Sequence, residues 1–185
     1  MARPRTTETR ERIQAAALEL FLRQGVRQTS LREIAEQLDL TKPALYYHFA
    51  SRDDLVASLM RPLAEDVEAL IAEDEATGPS SPRDLLGRYF DLSHRHRALT
   101  ALLARDLGAL AELGFVERIV EWRRRLTDLL VGPDAGVADR ARAIVALGGL
   151  GDCLVLLADT PVERLRPAAL DAACSALGPL ADRPA

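Results

Sequence analysis

Apolar positions in the first sixty residues recur at helical spacing. Ile13, Ala16, Ala17, Leu20 and Phe21 fall at i, i+3, i+4, i+7 and i+8, one stripe of an amphipathic helix. Thr6 or Thr7 can cap its start, and Gly25 stands where a left-handed residue closes its end. A second helix opens at Ser30, with Glu33 three residues on to complete a capping box. Its stripe of Leu31, Ile34, Ala35 and Leu38 covers only two turns, too few to hold without neighbours. Asp39-Leu40-Thr41 is a tight turn. Thr41 then caps a third helix, Pro43 suits its first turn, and Leu45 and Phe49 point inward at i, i+4. Ser51 with Asp54 caps a fourth helix, whose apolar side (Leu55, Leu59, Leu63, Val67, Leu70) continues toward Ala76.

The rest of the chain is patterned in the same way. A loop marked by Gly78, Pro79 and Pro82 precedes helices expected over 82–96, 99–113 and 115–131, the last two separated by Gly114. Gly132-Pro133 leads to a helix over 136–158, apolar nearly all round from Ala143 onward, and Pro161 opens a last helix toward Leu180. Gly148, Gly149 and Gly151 each weaken that apolar helix by ~1 kcal/mol relative to Ala. They make sense if another backbone approaches closely there. The fold class is all-α. Residues 1–50 form a three-helix unit, helix four (about 51–76) connects, and 51–185 form a second helical domain.

Two short helices joined by a tight turn and backed by a longer one make a helix-turn-helix. The outer side of the third helix then carries Thr41, Lys42, Pro43, Ala44, Tyr46, Tyr47 and His48. Ammonium, hydroxyl, phenol and imidazole groups meet phosphates and base edges, and Ala and Pro offer apolar contact to a thymine methyl. The competing reading has both tyrosines packed on helices one and four. The two caps and the turn favour the first reading, since motif and context agree, and a modest charge asymmetry points the same way. Residues 1–50 hold eight basic against six acidic side chains, Lys42 being the one lysine, while the whole chain carries −4. Only this end is suited to a polyanion.

The run from Leu31 to Phe49, followed by Ser51, Arg52 and Leu55, resembles the DNA-binding domain of tetracycline-repressor (TetR) family regulators, most specifically in LTKPALYYHFASRDDL. The resemblance covers about residues 7–60. It implies a homodimeric, ligand-released repressor with one recognition helix per subunit in successive major grooves of an operator duplex. By position, Thr41, Lys42, Pro43 and Ala44 would lie at the groove, and Tyr46, Tyr47 and His48 would contact bases or phosphates. Arg52 stands where the family usually has a lysine contacting phosphate. Asp39 departs from the family's usual glycine in the turn, where Asp is among the few residues that tolerate a left-handed backbone. Arg3 and Arg5 could reach a minor groove, a merely solubilising tail being the other reading.

The resemblance assigns the last two helices to a homodimer interface; a completed monomer core is the other reading. A pocket for a small hydrophobic effector is expected among Met60, Leu63, Phe90, His94, Leu103, Phe115, Ile119 and Trp122, large apolar groups with one titratable ring.

Other classes find little support. No P-loop, dinucleotide fingerprint or G-x-S-x-G motif is present, so no enzyme and no cofactor are expected. His94 and His96, two apart on a helix, point ~200° from one another and cannot share a metal, so no metal site is expected. His94 to Arg97 and Arg123 to Arg125 read as solvated charged faces. The polar first twenty residues show no secretory leader. The apolar stretch over 143–158 is short for a membrane span and interrupted by Asp152. A cytoplasmic protein with free thiols at Cys153 and Cys174 is expected. The rival functions are a small helical enzyme or carrier that retains the fold, and an architectural DNA binder, against which the acidic body argues.

Overall fold

The computed structural model describes residues 5–78 and 81–179. Arg3 lies outside the described residues, as does the side chain of Arg5. Among the described residues the chain forms ten helices and no strand: α1 (Arg5–Gln24), α2 (Leu31–Gln37), α3 (Lys42–His48), α4 (Arg52–Thr77), α5 (Pro82–Arg95), α6 (Arg97–Arg105), α7 (Leu107–Ala111), α8 (Phe115–Val131), α9 (Val137–Leu156) and α10 (Val162–Leu177). The all-α expectation holds, with two local corrections. Helix α1 begins at Arg5, so Thr6 and Thr7 lie inside it rather than capping it. The single helix expected over 99–113 is broken at Asp106, whose backbone (φ −134°, ψ 43°) leaves helical geometry.

The helices gather into two compact units that divide the chain differently from a boundary at residue 50. The first comprises residues 1–62 with 101–115, and the second residues 63–100 with 116–185. The division inside α4 falls at Pro62, which has no N–H to offer the Ser58 carbonyl one turn back.

In the first unit α1 packs on α2 and α2 on α3. Ile13, Ala17, Ile34, Leu45, Phe49 and Leu55 are wholly buried, as their spacing predicts, and Val56 joins them. Both short helices carry their expected caps. Ser30 Oγ accepts from the Glu33 N–H at 3.2 Å while Glu33 accepts from the Ser30 N–H at 2.8 Å. Thr41 Oγ1 accepts from the Ala44 N–H at 3.3 Å. The backbone hydrogen bonds from Ser30, followed by those from its hydroxyl, hold the Glu33 carboxyl below the usual carboxylate range. This contribution is therefore present above the unfolded carboxylate pKa and fades as pH falls through the lowered one.

Helix α2 ends in a Schellman turn. The Leu40 N–H donates to the Ala35 carbonyl (2.9 Å) and the Asp39 N–H to the Glu36 carbonyl (3.3 Å). The geometry requires a left-handed residue between them. Asp39 supplies it at φ 54°, the one positive φ outside glycine among the described residues.

In the second unit α5 packs on α9 and α10, and α9 on α10. Ion pairs bind these helices at their surfaces. Arg88 of α5 meets the buried Asp74 of α4, and Arg166 of α10 makes two bonds to Asp91 of α5 at 2.7 and 2.8 Å. Two expected solvated faces are in fact used. Arg95 and His96 both meet Asp66 of α4 (3.1 and 2.8 Å), and Arg125 bridges Glu68 and Glu75 of α4 (2.8 and 2.7 Å). Cys153 and Cys174 are free.

The strained position at residue 39 gives a two-sided test. Asp39→Gly should stabilise the chain by ~0.5–1 kcal/mol and raise Tm by ~2–4 °C, whereas Asp39→Ala should cost ~1 kcal/mol. Thermal unfolding of both variants beside the native chain checks the pair of opposite signs.

Candidate nucleic-acid interface

Helix α3 has only seven residues, and its two faces differ sharply. Leu45, and Phe49 just after it, are fully buried, whereas Tyr46 is 47% and Tyr47 79% exposed. Thr41, Lys42 and Pro43 are exposed, and Ala44 and His48 are half-buried. The packed reading fails for Tyr47, because a phenol left mostly in solvent contributes little to a core, while Tyr46 is about half covered. The Tyr47 ring stands edge-on to His48, with ring centres 5.3 Å apart.

The C-terminal end of α3 is anchored by a residue outside the helix-turn-helix. Arg10 of α1 donates to the His48 carbonyl at 2.5 Å, and its guanidinium lies 4.0 Å from the centre of the Phe49 ring. A cation at the C-terminal end of a helix satisfies an orphan carbonyl and complements the dipole.

Beside α3 runs a groove of about 530 Å³ lined by Arg27, Gln28, Ser30, Arg32, Lys42, Tyr46, Ser51 and Arg52, among others. A smaller one of about 290 Å³ lies against Arg32, Leu40 and Lys42. Four cations around one groove form a surface for phosphate. Arg32 is partly engaged by Glu36 at 2.6 Å. Arg52, expected as a phosphate contact, is also tied into the fold, since its Nη1 donates to the carbonyls of Val26 (3.3 Å) and Arg27 (3.2 Å). The sequence pattern did not single out Arg27, Arg32 or Arg10. The basic pair flanking the Ser30 cap was a usable signal for the first two. Arg10 had none, since its role depends on how α1 packs beside α3.

The residues expected around an effector divide between the units. Leu63, Phe90, His94, Ile119 and Trp122 belong to the second, and Met60, Leu103 and Phe115 to the first. Leu63, Phe90 and Trp122 are buried, His94 and Ile119 half-buried. The Phe90 and His94 rings lie parallel, with centres 6.3 Å apart. The Trp122 indole N–H donates to Glu68 at 2.5 Å. That bond, followed by those from Arg125, keeps the Glu68 carboxyl below its usual range. Among the described residues no three His, Cys, Asp or Glu side chains group to hold a metal ion. No helix among them is long and apolar enough to cross a membrane.

A capped, outward-facing α3 behind a tight turn, with cations beside it, defines a helix-turn-helix DNA-binding protein. Residues 13–59 match the family described as bacterial regulatory proteins, tetR family. The chain is 30% identical to the HTH-type transcriptional regulator TcmR of Streptomyces glaucescens over 194 aligned positions, taking in 92% of this chain and 83% of that protein. It therefore belongs to the TetR family of transcriptional regulators. To the regulator AcrR of Shigella flexneri it is 38% identical over 79 residues, 43% of this chain but 37% of that protein's length. The match to TtgR of Pseudomonas putida likewise takes in 49% of that protein. A transcriptional regulator of Aquifex aeolicus shares the fold, with a TM-score of 0.68 at 22% identity, over 89% of this chain and 96% of that one.

Replacing Arg10 isolates its anchoring role. Arg10→Ala removes a charge-assisted bond and a cation–π contact, and should lower stability by ~1–2 kcal/mol. Arg10→Lys, which keeps the charge without the planar fork, should recover part of that in urea unfolding.

Proposed function

We propose that this chain is a ligand-responsive transcriptional repressor that binds a palindromic operator as a homodimer. The observation that carries the reading is the exposed polar face of α3, with Tyr47 79% open to solvent over a fully buried Leu45 and Phe49. Thr41, Lys42, Pro43 and Ala44 lie at the major groove. Tyr46, Tyr47 and His48 reach bases or phosphates, and Arg52 together with Arg27 and Arg32 meets the backbone. Its relatives are named as regulators, and no observation favours an enzyme or a carrier.

The dimer forms through α9 and α10. Val145, Gly149 and Leu156 share one stripe of α9, and the two large residues are 62% and 78% exposed. A Cβ built on Gly149 or Gly151 meets nothing within 4 Å, and on Gly148 only an arginine side chain at 3.5 Å. Among the described residues no backbone of the chain itself fills that space, which supports close approach by a second copy. Dimerisation sets two α3 helices about one DNA turn apart, roughly 34–36 Å. A small apolar effector lies among Leu63, Phe90, His94, Ile119 and Trp122 and acts through α4, the helix that begins in the first unit and ends in the second. Effector and DNA then weaken one another reciprocally.

Selection of a random duplex library by the purified protein should recover a palindrome; no enrichment would refute the reading. On the recovered duplex, Lys42→Ala should lower the salt slope of binding by ~1, and Tyr47→Phe should cost ~0.5–1.5 kcal/mol. Binding unchanged in both would move the reading face elsewhere. Leu156→Arg should yield a folded monomer by sedimentation, because the side chain it replaces is not part of the chain's own core.

A further inference from the structure

The break between α6 and α7 and the turn after α1 meet at one side chain. Asp106 stands at the N-cap of α7, where an aspartate ordinarily accepts from the second or third N–H of its own helix. It makes no such bond. Its Oδ2 instead accepts from the Val26 N–H at 2.7 Å, across 80 residues of sequence. The same oxygen is 3.3 Å from where a Cβ on Gly25 would stand, and Gly25 itself holds φ +92°. The next residue, Arg27, pairs with Glu112 at the end of α7. On the opposite side of this turn, Arg52 holds the carbonyls of Val26 and Arg27. The turn is thus gripped at its N–H by the segment 101–115 and at its carbonyls by the residue that opens α4.

We propose that Asp106 is a positioning residue for DNA recognition. Its carboxylate holds the α1–α2 turn, and with it α2 and the Arg52 anchor behind α3, in the arrangement that reads a duplex. It leaves the N-terminus of α7 uncapped to do so. This rests on the DNA-binding reading above. Residues 101–115 join the first unit, yet the chain enters them through α6 and leaves them through α8, which continue in the second. A displacement carried along either helix reaches the head at the Val26 N–H. Once that bond breaks, Asp106 is free to cap α7, a second resting place for the same carboxylate.

The test uses the full chain and the duplex selected by the native protein. Asp106→Ala should bind that duplex about tenfold more weakly, the scale of one lost hydrogen bond to a charged group. The Val26 amide should exchange with solvent faster by a similar factor, with dimerisation unchanged. Asp106→Asn keeps an acceptor of the same reach and should restore most of both. Glu112→Ala should bind within about twofold of the native chain, because its pair with Arg27 is exposed on both sides. Asp106→Ser, able to cap α7 but too short to span the gap to Val26, replaces the alanine variant if that fails to fold. Faster Val26 exchange with native affinity would reduce Asp106 to a structural cap and overturn the proposal, as would unchanged exchange. If the native chain selects no duplex, the DNA-binding reading falls and this inference with it. If it selects one that the alanine variant binds equally well, only this inference falls.

Discussion

Two helices of seven residues cannot stand alone in water, since each fixes a costly nucleus and then adds few hydrogen bonds. Everything in the first unit answers to that constraint. Helix α2 is closed at one end by the Ser30–Glu33 box and at the other by the Schellman turn at Asp39. Helix α3 is closed by Thr41 at its start and by Arg10 of α1 at its end. Leu45 and Phe49 bury one face completely, which leaves the opposite face nothing to do for the fold. That surplus is what permits lysine and two tyrosines to stand in solvent. The outer face of α3 stands open because the holding together is done elsewhere.

Much of this is local and was therefore legible. Capping boxes, apolar stripes and glycine stops lie within a few residues of the groups they serve, so the starts of α2, α3 and α4 follow from Ser30, Thr41 and Ser51. What was hidden depends on partners far along the chain. Arg10 is one polar residue of an amphipathic helix until α3 is placed beside it. Arg125 reads as the end of a basic run until Glu68 and Glu75 meet it. The continuous helix expected over 99–113 fails for the same reason. Its periodicity is sound, but the Asp106 carboxylate bonds to Val26, and Asp106 leaves helical geometry.

The second unit shows a different economy. Its helices are bound at the surface by arginine–carboxylate pairs, most of them partly exposed, each worth little alone in water. Their value lies in register: Arg166 makes two bonds to Asp91, and Arg125 spans two carboxylates seven residues apart on α4, so a helix that slides must break both together. Apolar residues on α9 are meanwhile left outside this lattice, on a stripe where glycine removes bulk. Surface pairs can be exchanged for water at small cost, while an exposed Leu156 and Val145 cannot be made favourable by solvent. The two kinds of surface thus differ, the first aligning helices within the unit and the second leaving apolar side chains in solvent.

In the proposed switch, effector and operator are coupled by the amount typical of such linkage, about 1–3 kcal/mol, enough to change affinity 5- to 150-fold. A much stronger link would make the head and the body one inseparable core, and a much weaker one would leave the head deaf to the effector. One hydrogen bond to a carboxylate contributes ~1.5–3 kcal/mol. The bond from Val26 to Asp106 is of that kind, half-buried, and set in a segment that continues covalently into both α6 and α8. In the proposed switch its alternative is not an unsatisfied buried charge, because the second and third N–H groups of α7 offer the same carboxylate other donors. The two resting places proposed for the Asp106 carboxylate then differ by a small balance of similar bonds. A balance of that size can be tipped by an apolar ligand, since burying two or three methylene groups contributes ~2 kcal/mol.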